Sequence, residues 1–343
     1  MKVLVTGGNG FLGRAIVRQL LDAGHKVRSF SRQPSTVLDQ WEVEQIRGDV
    51  RDLDTVKQAV ESCAAVIHTA AKAGVWGPAS EYEPVNVQGT RNLLMAVKAA
   101  GIDKFVHASS PSVVFDGKDE TNLAESQASY PKSYLTQYSR TKALAEQEVL
   151  AANGPELATV ALRPHLIWGP GDPHLLPRLW ARALSGRLRL VGSGTNRIDT
   201  TYIDNAALAH RLALEKLAPG AACSGQAYFI SNGEPMPIAE LFGRFLEVAG
   251  LPAAIPAVPE WAASALAWWL ELRAQGKTSA SEPLLTKFVV QQLAREHWFD
   301  LSKAKRDLGY QAKVSLASGL ERLKQSLKAV KMPDTGFTLC AGS

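Results

Sequence analysis

Cysteine is scarce in this chain: Cys63, Cys223 and Cys340 are an odd number, widely separated, with no Cys-x-x-Cys spacing. That excludes a disulfide framework and a cysteine-ligated zinc site, and it points to reduced thiols in a reducing compartment. Long apolar runs are lacking too. The most apolar stretch, Trp261 to Leu270, is cut off by Glu271 and Arg273, well short of the ~20 residues a spanning helix needs. The chain opens directly on strand material, Met1 to Thr6, with no apolar segment and small-residue cleavage site, so no signal peptide is expected. Basic residues do not gather. Lys and Arg number 38 against 33 Asp and Glu, a net charge of +5, but they are scattered without interleaved aromatics. Nucleic-acid binding is therefore not expected. The expected location is the cytoplasm, with peripheral membrane contact as the alternative.

What is present is the material of an ordinary globule. The 343 residues are 46% hydrophobic and 21% charged, enough for about two domains. Strand-like runs at Lys2–Thr6, Lys26–Phe30, Val43–Arg47, Ala65–Thr69, Lys104–Ser109 and Ala158–Arg163 alternate with helix-period stretches at Leu12–Ala23, Leu53–Ser62, Thr90–Ala100 and Tyr138–Asn153. This alternation predicts an α/β fold with a Rossmann-type doubly wound parallel sheet, covered on both faces. Residues 1–168 are expected to form it, rejoined by a strand near 226–231. Beyond Gly169, clusters of Gly and Pro and isolated helices predict a smaller, discontinuous substrate lobe over 169–330. Residues 331–343 read as a loose tail.

The first strand runs into Gly7-Gly8-Asn9-Gly10-Phe11-Leu12-Gly13 and then into a helix. Gly7, Gly10 and Gly13 at this spacing allow a tight turn and close approach of a pyrophosphate to the free N–H groups of Phe11 and Leu12 at the helix start. The second strand ends Ser31-Arg32 and carries no acid. A ribose 2′-phosphate would be welcomed there by a guanidinium and a hydroxyl, so NADP(H) is expected ahead of NAD(H). Asp49 and Val50, closing the third strand, are placed at the adenine. The small Ala70 and Ala71, ending the fourth, leave room for the dinucleotide.

Tyr138 and Lys142 stand at i and i+4 on a predicted helix and share one face. A free phenol is a poor acid at neutral pH, and a neighbouring ammonium is expected to lower its pKa. Ser110, with Ser109 and Ser112 as neighbours, follows the fifth strand and supplies a hydroxyl to hold the reacting oxygen, completing a Ser–Tyr–Lys set. His165 and His174 lack accompanying ligands, so no metal is expected.

The glycine turn, the Ser–Tyr–Lys set, Asn86 within Asn86-Val87-Gln88-Gly89-Thr90, and Leu162-Arg163-Pro164 followed by Trp168-Gly169-Pro170-Gly171-Asp172 together resemble an extended short-chain dehydrogenase/reductase over about residues 1 to 325. Tyr202 to His210 is similar to the 3β-hydroxysteroid dehydrogenase-like branch. Ala71 to Gly77, His174 to Leu179 and Tyr228 to Pro235 are similar to bacterial 2-alkyl-3-oxoalkanoate reductases of long-chain olefin biosynthesis. The resemblance implies NADPH-dependent reduction of a long-chain 2-alkyl-3-oxo acid to the 3-hydroxy acid, a homodimer, and assembly with a β-lactone synthetase and a β-lactone decarboxylase. It implies roles for Ser110, Tyr138 and Lys142 in catalysis. Pro164 would lie beside the nicotinamide, and Asn86 would steady the Tyr–Lys helix through water.

On the substrate side the candidates are Trp76, Ser112, His165 and Arg197, with Lys72 and Arg178 as further cations for a carboxylate. A hydroxysteroid dehydrogenase, a sugar-nucleotide epimerase and a dinucleotide-binding sensor remain alternatives. Trp261, Ala265, Trp268 and Leu272 form one helical stripe with Trp269 beside it. The stripe is expected to cap an acyl pocket, with a docking or membrane contact as the other readings.

Overall fold

The computed structural model describes residues 1–274 and 282–330; the expected tail 331–343, with Cys340, lies outside the described residues. Seven parallel strands form the central sheet: β1 (Lys2–Thr6), β2 (Lys26–Ser31), β3 (Glu44–Arg47), β4 (Ala65–His68), β5 (Lys104–Ala108), β6 (Ala158–Pro164) and β7 (Gln226–Ile230), in the order β7-β6-β5-β4-β1-β2-β3. Val3 pairs with Val27 on one side and Ala65 on the other, so the winding direction reverses at β1. A crevice opens there at the carboxyl edge.

Alternation along each strand assigns the faces. Leu4, Val66 and Phe105 point to one side, where Val56 of α2 (Leu53–Val60) and Leu93 and Val97 of α3 (Gly89–Ala99) meet them. Val3, Val5, Ile67 and Val106 point to the other, against Ile16 and Leu20 of α1 (Phe11–Asp22) and a helix entered below. The interior strand β6 is buried at every position, including Thr159 and Arg163, the latter paired with Glu146.

Past residue 168 a second core forms around Trp168. Its ring meets Tyr202 and Phe245 edge-on at 5.2 and 4.9 Å, and its Nε1 donates to Thr200 Oγ1 at 3.0 Å. Helices α5 (Leu175–Leu184), α6 (Ile203–Lys216), α7 (Ile238–Val248), α8 (Glu260–Ala274), α9 (Lys287–Ala294) and α10 (Leu316–Val330) follow α4 (Gln137–Ala151) in the chain. Of these α6 packs back on the sheet, the helix that faces Val3 and Val5. Among the described residues no helix is long and apolar enough to cross a membrane.

One expectation is corrected here. The stripe Trp261–Ala265–Trp268–Leu272 of α8 faces solvent, and the helix seats through Ala263 and Ala267 instead. Small side chains let α8 approach its neighbours closely, so the alanine face takes the inside.

A methyl added at Gly13 would sit 2.1 Å from Gly7 O. Gly13→Ala is expected to lower unfolding free energy by about 1–3 kcal/mol and to weaken dinucleotide binding. Urea unfolding and a fluorescence titration with NADPH check both; an unchanged variant contradicts the packing described.

Candidate active site

The glycine turn lies at the crevice where the sheet order reverses. Gly7 takes a left-handed φ of +68°, and its N–H donates to Phe30 O at 2.8 Å. Gly10 caps α1 with no side chain in the way, so the N–H groups of the helix start face open space. Phe11 and Leu12 begin the helix half-buried and also lean on the second core. Ala70 N–H donates to Thr6 Oγ1 at 3.3 Å, which draws the end of β4 in beside the turn, while Ala71 is exposed. This cradle fits a dinucleotide pyrophosphate, because side chains at Gly7, Gly8 or Gly13 would collide with the backbone or with Ser29.

At the end of β2, Ser31 Oγ accepts the Asn9 N–H at 3.3 Å, and Arg32 is exposed. Arg47 Nε donates to Arg32 O at 3.2 Å. Asp49 is already gripped by Arg51, with Nη2 2.8 Å from Oδ2. That bond holds the Asp49 carboxyl below its ordinary range, with Arg32 adding a weaker pull. Three guanidiniums, Arg32, Arg47 and Arg51, therefore gather at the strand ends. Val50 packs beneath them, so tightly against Gly89 that a methyl there would meet its Cγ2 at 2.6 Å.

Thr136 caps α4, its Oγ1 accepting the Ser139 N–H at 3.0 Å, and so sets Tyr138 in the first turn and Lys142 one turn on. Ser110 leaves β5 and starts the short turn Pro111–Val113; its Oγ lies 3.0 Å from Ser112 Oγ. The structure thus brings Ser110, Ser112 and Tyr138 together, while the Ser109 hydroxyl is buried without a protein partner. Burial pushes the Tyr138 phenol up, and the neighbouring Ser110 hydroxyl pulls it back. Lowering by Lys142, expected from the spacing, is absent from this arrangement. The Lys142 ammonium donates instead to Ala108 O at 2.6 Å and lies 3.3 Å from His107 Nε2. Desolvation lowers its pKa to about 8, opposed by Glu146.

Several supporting residues escaped the sequence reading. His107 is buried, and desolvation, then the Lys142 charge, hold it well below its ordinary value. It is neutral at pH 7, so its Nε2 accepts from the ammonium. Beside it His68 bonds Thr6 Oγ1 at 2.7 Å and Thr90 Oγ1 at 3.1 Å. Because Thr90 donates its own proton to Asn86 O, it accepts from His68 Nε2, which fixes that ring's tautomer. Asn86 holds α4 directly rather than through water: its Nδ2 donates to Thr141 Oγ1 at 3.0 Å. One turn beyond Lys142, buried Glu146 accepts from Arg163 and from Tyr130. Such partners are invisible to local spacing because they come from elements far apart in the chain.

The substrate candidates fare unequally. Pro164 ends β6, buried beside Ile230. His165 offers no cation: desolvation takes its pKa to about 3. Arg197 is exposed over the Trp298 ring and donates to Pro235 O at 3.0 Å, while its neighbour Ile198 lines the cavity described next. Lys72 pairs with Glu81 at 2.6 Å, and Arg178 with Glu282 at 2.9 Å. Trp76 is half-buried, its carbonyl accepting the Tyr82 hydroxyl at 2.8 Å. A cavity of about 950 Å³ extends through the second core, walled largely by aliphatic side chains. Leu166 lines it two residues past Pro164, at a strained φ of +40°. Phe288 lines it too and meets Phe115, just past the serine turn, edge-on at 6.2 Å.

The depressed pKa of Lys142 has a thermodynamic sign. Between about 8 and its ordinary 10.5 the unfolded chain binds a proton that the folded one has lost. Stability therefore rises with pH across that window, by on the order of 3 kcal/mol, and the deficit is complete below it. Urea unfolding of wild type and Lys142→Met at pH 7 and pH 10 is expected to show wild type gaining on the variant by most of that amount. A gap independent of pH contradicts it.

Residues 4–256 match the 3-beta hydroxysteroid dehydrogenase/isomerase family. A 2-alkyl-3-oxoalkanoate reductase of Stenotrophomonas maltophilia is 49% identical over 96% of this chain and 100% of its own. One from Shewanella oneidensis is 46% identical over 94% and 85%. Among solved structures, UDP-glucuronic acid 4-epimerase from Bacillus cereus in complex with NAD superposes with a TM-score of 0.74 at 26% identity, covering 96% of this chain and 99% of that one. The chain belongs to the 3-beta hydroxysteroid dehydrogenase/isomerase family of extended short-chain dehydrogenases/reductases and is an NAD(P)-dependent oxidoreductase.

Proposed function

We propose that the protein is an NADPH-dependent reductase of long-chain 2-alkyl-3-oxoalkanoic acids, forming the 2-alkyl-3-hydroxy acids in bacterial olefin biosynthesis. The observation that carries this reading is the aliphatic cavity of about 950 Å³ in the second core, whose wall residue Phe288 meets Phe115 just past the serine turn, taken with the two reductases that share nearly half of this sequence. Residues 1–168 with β7 would hold the dinucleotide, and 169–330 the substrate. Ser31 and Arg32, joined by Arg47, would receive a 2′-phosphate, and Lys142 the nicotinamide ribose. Arg32 and Arg47 favour a phosphate over a bare hydroxyl, the Arg51 charge being paired with Asp49.

A bound NADPH supplies the hydride. Tyr138, kept neutral by burial, donates its proton to the oxygen of the ketone as the carbon is reduced, and Ser110 hydrogen-bonds that oxygen. Solvent then reprotonates the phenolate that is left. The protein would work in the cytoplasm as a homodimer, with the exposed Met95 of α3 and Leu144 of α4 available for pairing. A β-lactone synthetase and a β-lactone decarboxylase would act on the product.

Three measurements test the reading. Loss of NADPH absorbance at 340 nm is expected with 2-alkyl-3-oxo acids, and no gain at 340 nm with hydroxysteroids or nucleotide sugars under NADP⁺; turnover confined to steroids overturns the substrate. Tyr138→Phe is expected to cut kcat by about 100-fold or more, and near-normal turnover refutes its role. Arg32→Ala is expected to raise KM for NADPH by about tenfold, one charge-assisted contact, and to leave that for NADH unchanged. Equal effects on both remove the 2′-phosphate assignment.

A further inference from the structure

Helix α8 divides two environments. Its inner side, with Ala263, Leu266 and Leu270, walls the aliphatic cavity. Its outer side shows water Trp261 at 76% exposure, Trp268 at 54% and Leu272 at 51%. Leu266 belongs to both, being half exposed and part of the cavity wall, and Leu284 across the opening is exposed and part of the wall as well. The cavity therefore opens through an apolar rim beside an apolar face. Cations surround that opening: exposed Arg187 and Arg189 on the cavity wall, Lys287 at the start of α9, and Arg273, whose guanidinium lies 4.5 Å over the Trp269 ring. The acids nearby are already engaged, Glu282 with Arg178 and Glu271 with the Lys287 N–H.

We infer that this face seats the protein on an anionic phospholipid surface, and that alkyl chains enter the cavity from that phase. Tryptophan suits the boundary between hydrocarbon and headgroup, having an apolar ring and one N–H to leave in the polar layer. Leucine beside it inserts, and a ring of cations meets lipid phosphates. A second copy of this chain fits less well, since a twofold pairing would bring the same cations face to face. An apolar rim also spares a long chain from crossing water on its way in. That last step rests on the long-chain reading above; the seating does not.

Flotation of the full chain with vesicles tests it. Wild type is expected to float with vesicles of equal phosphatidylglycerol and phosphatidylcholine, and at least tenfold less with phosphatidylcholine alone or in 1 M salt. The double variant Trp261→Ser, Trp268→Ser, both exposed, is expected to keep its thermal midpoint and to lose at least tenfold in vesicle binding. No flotation of wild type, or equal flotation of the variant, overturns the inference. Self-association lost in the variant without vesicles overturns it too and assigns the face to a second copy. If the reductase reading fails instead, turnover is absent while vesicle binding persists, so the two failures are distinguishable.

Discussion

The Lys142 ammonium, 2.6 Å from Ala108 O and 3.3 Å from His107 Nε2, sits in a place nearly closed to water. Burying a cation is costly unless acceptors surround it, and here they come from the last two residues of β5. The same strand leads directly into Ser110, so the carbonyl that holds the lysine and the hydroxyl that meets Tyr138 are set by one backbone segment. Helix α4 answers with its own anchors. Thr136 caps it, Asn86 reaches Thr141 from the turn Pro84–Gln88, and Glu146 is locked to Arg163 on β6. Tyr138 is thereby fixed against β5, β6 and the segment Pro84–Gln88, and the reacting groups need little rearrangement.

Local features were legible in the sequence because they are governed by local physics. A glycine turn needs its glycines wherever it occurs, and Tyr138 and Lys142 share a face on any helix. The strands came within a residue or two at their ends for the same reason: interior strands of a covered parallel sheet are largely apolar. Orientation was less legible. The direction Lys142 takes depends on His107 and Ala108, thirty-five and thirty-four residues earlier, and His107 in sequence is only one residue of a strand. His165 reads as a cation until its burial against Phe299 is known. In helix α8 the tryptophan stripe read as the inner face, whereas Ala263 and Ala267 take that side.

The two halves of the chain supply different parts of the proposed chemistry. The sheet edge holds polar groups in fixed positions around the Tyr138 hydroxyl, whereas the lobe offers an aliphatic space of about 950 Å³ with few directional contacts. Such a division suits a substrate whose reactive end is constant and whose tails vary, because aliphatic walls discriminate only weakly between chain lengths. Leu166, strained at φ +40° where β6 leaves the sheet, stands at the junction of the two. Backbone strain held at that point is consistent with a boundary that must keep its shape.

The site depends most on the state of one amine. Nitrogen-detected NMR of the Lys142 side chain, with Lys142→Met to assign the signal, reads its titration in the intact protein. A midpoint at about 8 is expected from its burial; a midpoint in the ordinary lysine range near 10.4 would contradict the dry, carbonyl-held ammonium on which the site is built.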